Sequence, residues 1–469
     1  MANKNRELVI IGAGPGGYAA AFRAADLGVK VTLIDKEENP GGVCLYRGCI
    51  PSKALLHAAK IIKDAQQAKN WGVNFGPPEI DIDQLREWKN GIVSKLAKGL
   101  RGLCKKRKIE YIQGTAEFIS NNKIRIKHVS SDEVEETEFE NAVIATGAQS
   151  ITLPNISMDS EYIIDSTDSL GLKDIPESML VIGGGYIGLE QANIYARLGS
   201  RVSVVEMTSQ LLPGTDQDLV SVLTKHLSGC FDQILLNTKV SKVEKSDDKG
   251  IKVRFEGKDQ KPGEQTYNKV LVAVGRKPNT KQIKTENAGI ELDEKGFIPV
   301  DDQRRTKNKN IFAVGDVTGD PQFAHKATRE GVVAAEVIAG RQTSFDVKAI
   351  PFIEYTELEI AGCGLTEAQA RKEGRDIIIT KFPWSASGRA LTMGENKGLT
   401  KLIFEKETGR LLGVGIVGSD AGKLISEGAL AIEMAAVAED MACTIHPHPT
   451  LSETLMEAAE GFSGRSLSL

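Results

Sequence analysis

Cys44 and Cys49 stand five positions apart in the stretch GGVCLYRGCIPSK, residues 41–53. Such a pair can be two small buried thiols. It can be part of a zinc site, for which His57 is the only nearby further ligand. Or it can open and close as a disulfide that carries two electrons. On an undistorted helix the Cα atoms of residues i and i+5 lie roughly 8–9 Å apart, beyond the about 7 Å that a disulfide spans. A bond between these two therefore requires a distorted turn, which Gly48 and Pro51 make available.

The compartment bears on that choice. The six cysteines are few and dispersed (the others are at 104, 230, 363 and 443), unlike a secreted disulfide framework. MANKNRELVIIGAG runs into a strand-like segment within about seven residues, too soon for a signal or transit peptide. The expected location is the reducing cytoplasm, where a close pair is catalytic or metal-binding more often than structural. With 469 residues, 41% hydrophobic and 26% charged, the chain reads as a globular protein of two to four domains. Net charge is −4 without a basic block, which argues against nucleic acid. Apolar runs such as ALAIEMAAVAED are broken by charge, short of a bilayer span.

The elements that position the cysteines come from a repeated passage. ELVIIGAGPGGYAAAFRAADLGVKVTLID starts at Glu7, and SMLVIGGGYIGLEQANIYARLGSRVSVVE starts at Ser178. Each reads as strand, glycine turn, Ala-rich helix and a second strand ending in an acid. Gly12 and Gly183, Gly28 and Gly199, and Asp35 and Glu206 are each 171 residues apart. Two similar βαβ domains follow. A helical stretch reaches to about 108, then a short β-rich region. More strand-like runs follow the second copy, then a helix from about 324 to 340. From about Lys348 a separate α+β pattern ends in the long helix KLISEGALAIEMAAVA and a final helix after HPHPTLSE.

Gly12, Gly14 and Gly17 form G-x-G-x-x-G, with Asp35 at the end of the next strand. The glycines allow a tight turn, close approach of a pyrophosphate and close helix–strand packing, and the helix N-terminus faces the phosphates. The acid accepts from a ribose hydroxyl. Gly183, Gly185, Gly188 and Glu206 repeat the arrangement. Glu206 suits the free 2′-hydroxyl of NAD and repels the 2′-phosphate of NADP, and Met207 stands where an arginine could meet that phosphate. Because the cysteine segment directly follows the first unit, that unit is the expected seat of a cofactor able to exchange electrons with thiols, a flavin.

GGVC-x4-C-x-PSK after an N-terminal G-x-G-x-x-G resembles the pyridine nucleotide–disulfide oxidoreductases. So do IATGA (144–148), GGGYIGLE (183–190), GRKPN (275–279), VGD (314–316) and HPTLSE (448–453), which together span nearly the whole chain. IPSKALL, VVEM, FAHKA and IPFIEYTELEIAGCGLTEAQA are most similar to the branch that oxidises dihydrolipoyl groups. The resemblance implies an α/β fold with two Rossmann-like domains, one for FAD (1–150 with 275–347) and one for NAD (151–274). A C-terminal α+β dimerisation domain (348–469) completes it.

The same resemblance implies the site. Gly12, Gly14, Gly17, Asp35, Lys36, Gly42, Val43, Lys53, Gly114, Thr146, Gly147, Asp316 and Ala324 would hold FAD. Gly183, Gly185, Gly188, Glu206, Val240 and Gly275 would hold NAD. Cys49 would face the flavin and Cys44 would exchange with substrate, the two forming the redox disulfide. Lys53 would pair with Glu190. His448 would be the base and Glu453 its orienting acid, serving the neighbouring subunit of a homodimer. Thr450-x-x-Glu453 also reads as a capping box, and His446 stands two residues before His448. No metal is implied. The implied partner is a lipoyl-bearing acyltransferase of a 2-oxo acid dehydrogenase complex, or the lipoyl carrier of glycine cleavage.

Tyr46 and Arg47 replace the Asn and small residue usual in that cysteine loop, and Tyr186 is shared with the glutathione-reductase branch. An NADPH-linked reductase of the family is the nearest rival. Glu206 opposes it, and a mercury(II) reductase would carry a C-terminal cysteine pair absent from GFSGRSLSL. A non-catalytic flavoprotein scaffold would need none of Cys44, Cys49 and His448.

Overall fold

The computed structural model describes residues 5–131, 133–153, 160–246, 250–257 and 263–464. The last five residues of GFSGRSLSL lie outside them. Among the described residues no helix is long and apolar enough to cross a membrane.

Three sheets organise the chain. In the first, strands Glu110–Ser120, Val31–Asp35, Asn5–Ile11, Val134–Ile144 and Ile311–Ala313 run parallel in that order. Strand Lys123–His128 pairs antiparallel with two of them. Its apolar runs (Leu8, Val9, Ile10, Ile144, Phe312) are buried because helices or strands cover both faces. The second sheet, Gln233–Leu235, Arg201–Val205, Ser178–Ile182, Lys269–Val272 and Ile163–Ile164, is also all parallel. An antiparallel trio of Thr238–Ser246, Gly250–Gly257 and Gly263–Tyr267 stands beside it. The third is antiparallel, in the order Phe352–Glu354, Glu359–Gly364, Leu411–Gly418, Leu399–Glu405, Ile377–Pro383.

The repeat holds to the residue. Leu8 pairs with Val31 in the first sheet and Met179 with Val202 in the second, each partner displaced by the same 171 positions. Gly12 and Gly183 both have positive φ, +101° and +111°. A Cβ at either would come within 2.3 or 2.4 Å of the carbonyl oxygen of Ala145 or Ala273. At Gly17 and Gly188 a Cβ would strike the oxygen of Gly12 or Gly183. Only glycine lets the helices Pro15–Asp26 and Tyr186–Leu198 start this close to their strands.

Two differences from the sequence reading are local. The expected helix KLISEGALAIEMAAVA ends at Glu433, and a short one, Ala438–Cys443, follows. Ala435 turns left-handed (φ 56°), and the carbonyl of Ala436 accepts from Leu411 N–H at 2.9 Å. Joining the neighbouring strand outweighs the helix preference of the alanines. The final helix, Glu453–Glu460, begins at the acid itself. Glu453 Oε2 accepts from Thr450 N–H at 2.7 Å, so half of the expected capping box forms, outside the helix.

Candidate active site

The cysteine segment is two helices and not one. Gly42–Arg47 and Cys49–Ala68 meet at Gly48, whose φ of −144° and ψ of −110° break the helical run. A Cβ at Gly48 would lie 3.2 Å from the carbonyl oxygen of Val43. Pro51 sits in the first turn of the second helix, where its missing N–H costs nothing. The break brings the two sulfurs into hydrogen-bond contact as free thiols. Tyr46 and Arg47 brace the turn from outside: Tyr46 Oη donates to the Asn39 carbonyl at 2.9 Å, and Arg47 pairs with Glu37 at 2.7 Å.

The pair is electrically unequal. The hydrogen bond from Cys44 brings the Cys49 thiol down to about 7, with Lys53 acting in the same direction against desolvation. The same bond, then burial, pushes Cys44 far up. Both shifts favour Cys49 over Cys44 as the thiolate of the pair. Lys53, one turn along the helix, places Nζ 2.6 and 2.8 Å from the two oxygens of Glu190 on helix Tyr186–Leu198. Burial opposes the charge on Lys53, but Glu190 more than restores it, so its pKa is raised. Tyr355 completes the junction: its ring centroid is 4.4 Å from Nζ, and its N–H reaches Glu190 Oε1 at 3.4 Å.

A cavity of about 590 Å³ opens onto these groups. Gly12, Gly14, Asp35, Lys36, Gly42, Val43, Lys53, Thr146, Gly147, Asp316 and Ala324 all line it, with Cys44, Cys49 and Glu190. At one end Gly14 caps helix Pro15–Asp26, so free backbone N–H groups and the positive helix end face the space. A Cβ at Gly42 would lie 2.5 Å from the Cα of Gly14, so two backbones meet there bare. Asp35 accepts from Ala13 N–H at 2.6 Å and Glu37 N–H at 2.9 Å; burial still raises its pKa. At the other end burial raises Asp316 too, against the pull of Arg276. An elongated group with a pyrophosphate fits this cradle.

Gly17 and Gly114 do not line the cavity. Gly17 serves helix–strand packing, and a Cβ at Gly114 would lie 2.8 Å from the carbonyl oxygen of Lys127 on the neighbouring strand. Nor do Gly183, Gly185, Gly188, Glu206, Val240 and Gly275, which belong to the second glycine turn and its surroundings. There Glu206, buried, accepts from Gly184 N–H and Thr208 N–H, both at 2.8 Å. These are the counterparts, 171 positions on, of the two bonds that Asp35 takes. Val240 packs against the core of this domain, and Gly275 turns at φ +125°.

His448 stands apart from the cavity, its side chain 80% exposed, with Nδ1 2.8 Å from Glu453 Oε1. Burial pushes Glu453 up, but the bonds from Thr450 and His448 outweigh it and hold the carboxyl below its usual range. His446 has both ring nitrogens engaged, with the Thr444 carbonyl and with Glu427, each at 2.8 Å. Only His448 leaves Nε2 open. The sequence reading missed Arg276, Asn279, Gln322 and Tyr355 among the lining residues. Arg276 and Asn279 lie inside the quoted GRKPN, which was the available signal. His57, the one local candidate for zinc, is absent from the cavity lining. Among the described residues, the side chains close enough to share an ion are His226, Cys230 and Glu357. The guanidinium of Arg197 already bridges the last two.

Residues 6–331 match the family described as pyridine nucleotide-disulphide oxidoreductase, and residues 350–459 match its dimerisation domain. The chain belongs to that family. The dihydrolipoyl dehydrogenase of Vibrio cholerae is 48% identical over 458 residues, covering 98% of this chain and 96% of that protein. That of Haloferax volcanii is 44% identical over 463 residues, covering 98% and 97%. Among solved structures, the HOCl-induced flavoprotein disulfide reductase RclA of Escherichia coli superposes with a TM-score of 0.85 at 30% identity. It covers 97% of this chain and 99% of its own. LpdA of Mycobacterium tuberculosis gives 0.89 at 25%, with the same coverage. As a member of this family the chain is a homodimeric oxidoreductase that works with FAD and NAD.

Proposed function

We propose that the enzyme oxidises protein-bound dihydrolipoyl groups to the lipoyl disulfide, with NAD as final acceptor. The observation that carries this is the Cys44–Cys49 pair, polarised by Lys53 and Glu190 and opening onto the cavity. FAD is held along the first glycine turn by Gly12, Gly14, Asp35, Lys36, Gly42, Val43, Thr146, Gly147, Asp316 and Ala324, and NAD by Gly183, Gly185, Gly188 and Glu206. FAD supplies, when bound, a two-electron carrier between the cysteine pair and the nicotinamide.

In the oxidised protein Cys44 and Cys49 are joined. His448 of the partner subunit takes a proton from one substrate thiol, its ring oriented by the partner's Glu453. The substrate thiolate attacks Cys44; the Cys44–Cys49 bond breaks and Cys49 leaves as a thiolate. The low proton affinity of Cys49 makes it the better leaving group, and Lys53 steadies the charge. The second substrate thiol then attacks the sulfur bound to Cys44, closes the lipoyl ring and frees Cys44. His448, exposed and absent from the lining of its own chain's cavity, suits a role across the dimer.

The natural substrate is a lipoyl-bearing acyltransferase of a 2-oxo acid dehydrogenase complex or the lipoyl carrier of glycine cleavage, in the cytoplasm. The test is NADH formation from dihydrolipoamide and NAD⁺, beside NADP⁺ and a Cys44→Ser variant. Rapid NAD⁺-specific turnover, lost in the variant, is expected. Absence of turnover in the FAD-loaded wild type overturns the assignment.

A further inference from the structure

Strand Phe352–Glu354 brings a third carboxyl to the Lys53–Glu190 pair. Glu354 is 1% exposed, and neither of its carboxyl oxygens has a hydrogen-bond partner. The other buried glutamates among the described residues have partners. Glu190 takes two bonds from Lys53, Glu206 two from backbone N–H groups, and Glu330 bonds from Arg304 and Gly315 N–H. A buried ionised carboxylate without donors costs several kcal/mol, and such a group keeps its proton instead.

The charged groups facing Glu354 come from two other elements: Lys53 on helix Cys49–Ala68 and Glu190 on helix Tyr186–Leu198. On its own segment Tyr355 turns its ring and its N–H to the same pair. The ammonium of Lys53 is already committed to one carboxylate. Two ionised carboxyls against it would leave this junction with a net negative charge behind Cys49, which opposes the thiolate.

We propose that Glu354 keeps its proton in the folded protein, beside the Lys53–Glu190 pair. It is an un-ionised carboxyl that lets the strand of the C-terminal domain close on the Lys53–Glu190 pair without setting a second negative charge against Lys53. Burial and the nearby Glu190 both keep the proton on Glu354 to well above the usual carboxylate range, and Lys53 offsets them only in part. The proposal's first test is read at the Cys49 thiol. Its tests read ionisation and stability, not turnover, so it can fail while the assignment of substrate stands.

The first test uses full-length, FAD-loaded Cys44→Ser protein with and without Glu354→Gln, reduced. The rate of alkylation of Cys49 by iodoacetamide is followed against pH by mass spectrometry. A neutral-for-neutral exchange leaves the midpoint in place, within about half a pH unit. A larger fall overturns the proposal, because it means that a negative charge has been removed. The second test compares thermal unfolding of wild type, Glu354→Gln and Glu354→Met from pH 5 to 9; the Met variant serves if the Gln variant does not fold. The folded carboxyl binds its proton where an unfolded glutamate, with a pKa of about 4.3, does not. Its contribution is therefore complete below that value and is lost as pH rises towards the folded one. The melting temperature of wild type should fall steadily relative to the variants as pH rises. A gap that stays constant from pH 5 to 9 overturns the proposal, and a purely structural role would give that constant gap.

Discussion

Lys53 and Glu190, 137 residues apart in the chain, meet through two bonds of 2.6 and 2.8 Å at the point where three parts of the molecule touch. Helix Cys49–Ala68 brings the ammonium, helix Tyr186–Leu198 the carboxylate, and the segment after strand Phe352–Glu354 the ring and N–H of Tyr355. The pair does two jobs. It ties the two nucleotide-binding units together, and it places a positive charge near Cys49 that helps lower its proton affinity.

Removing the cation should therefore show twice. Lys53→Met leaves Glu190, with 6% of its side chain exposed, as an uncompensated buried carboxylate, a change that costs about 3–5 kcal/mol. The double variant Lys53→Met/Glu190→Leu should recover much of that loss in urea unfolding, as a buried pair does when both partners go. Cys49 loses a favourable charge in Lys53→Met, so its ionisation midpoint should rise above about 7. The double variant also loses the opposing charge of Glu190, and its midpoint should rise less. A midpoint unmoved by Lys53→Met would deny the lysine any part in activating the thiol.

The exposed position of His448 leads to a complementation experiment. If the histidine serves the partner's cysteines, a Cys44→Ser subunit and a His448→Gln subunit in a mixed dimer put both defects into the same site and leave the other made of intact parts. Each parent dimer should lose at least about 100-fold in dihydrolipoamide oxidation, the usual loss when a general base is removed. Random mixing makes half the dimers hybrids with one working site, so activity should return to about a quarter of wild type. No recovery in hybrids confirmed by native mass spectrometry would place His448 on its own chain's cysteines.

Much of this was legible in the residues because the repeat and the motifs are local. The 171-residue offset shows in the glycines and acids, and it reappears in the strand register and in the bonds to Asp35 and Glu206. Other features depend on distant partners. The helix after Ala421 stops at Glu433 because Ala436 bonds to Leu411, which no window around the alanines contains. Glu354 looks like an ordinary strand residue until folding places it behind Lys53 and Glu190. Gly114 follows the same logic. Its motif points to the cofactor, and the fold adds a packing role that the sequence does not show: the missing Cβ admits the Lys127 carbonyl of the paired strand.

Glu206 gives a prediction about nucleotide choice. Its oxygens accept from Gly184 N–H and Thr208 N–H, which holds the carboxylate at the mouth of the second glycine turn. Glu206→Gln must turn an amide N–H₂ towards one of these donors, which should cost about 1–3 kcal/mol of stability. With NAD seated on the second glycine turn as proposed, Glu206→Ala would remove the charge that repels a 2′-phosphate and the acceptor for a 2′-hydroxyl. The ratio of kcat/KM for NAD⁺ over NADP⁺ should then fall by about tenfold or more, the worth of a charge-assisted hydrogen bond. An unchanged ratio would move the discrimination elsewhere.

A final pH dependence lies away from the cavity. His226, near the end of helix Gln217–Leu227, has Nε2 3.3 Å from Glu357 Oε2. Bonding to Cys230 first, then to Glu357, raises its pKa to about 9 against the effect of burial. An unfolded histidine titrates near 6.5. The folded protein thus binds this proton more tightly, and stability falls with pH wherever the folded state holds more protons. The contribution is complete below about pH 6.5, declines from there, and is lost once pH has risen through about 9, with an upper bound of about 3 kcal/mol. His226→Gln should flatten the unfolding free energy between those limits while leaving its slope below pH 6 unchanged. The test is chemical denaturation at half-unit pH steps. Parallel curves for wild type and variant would show that Arg197, which donates to Glu357 at 2.6 Å, holds the cluster without a protonated histidine.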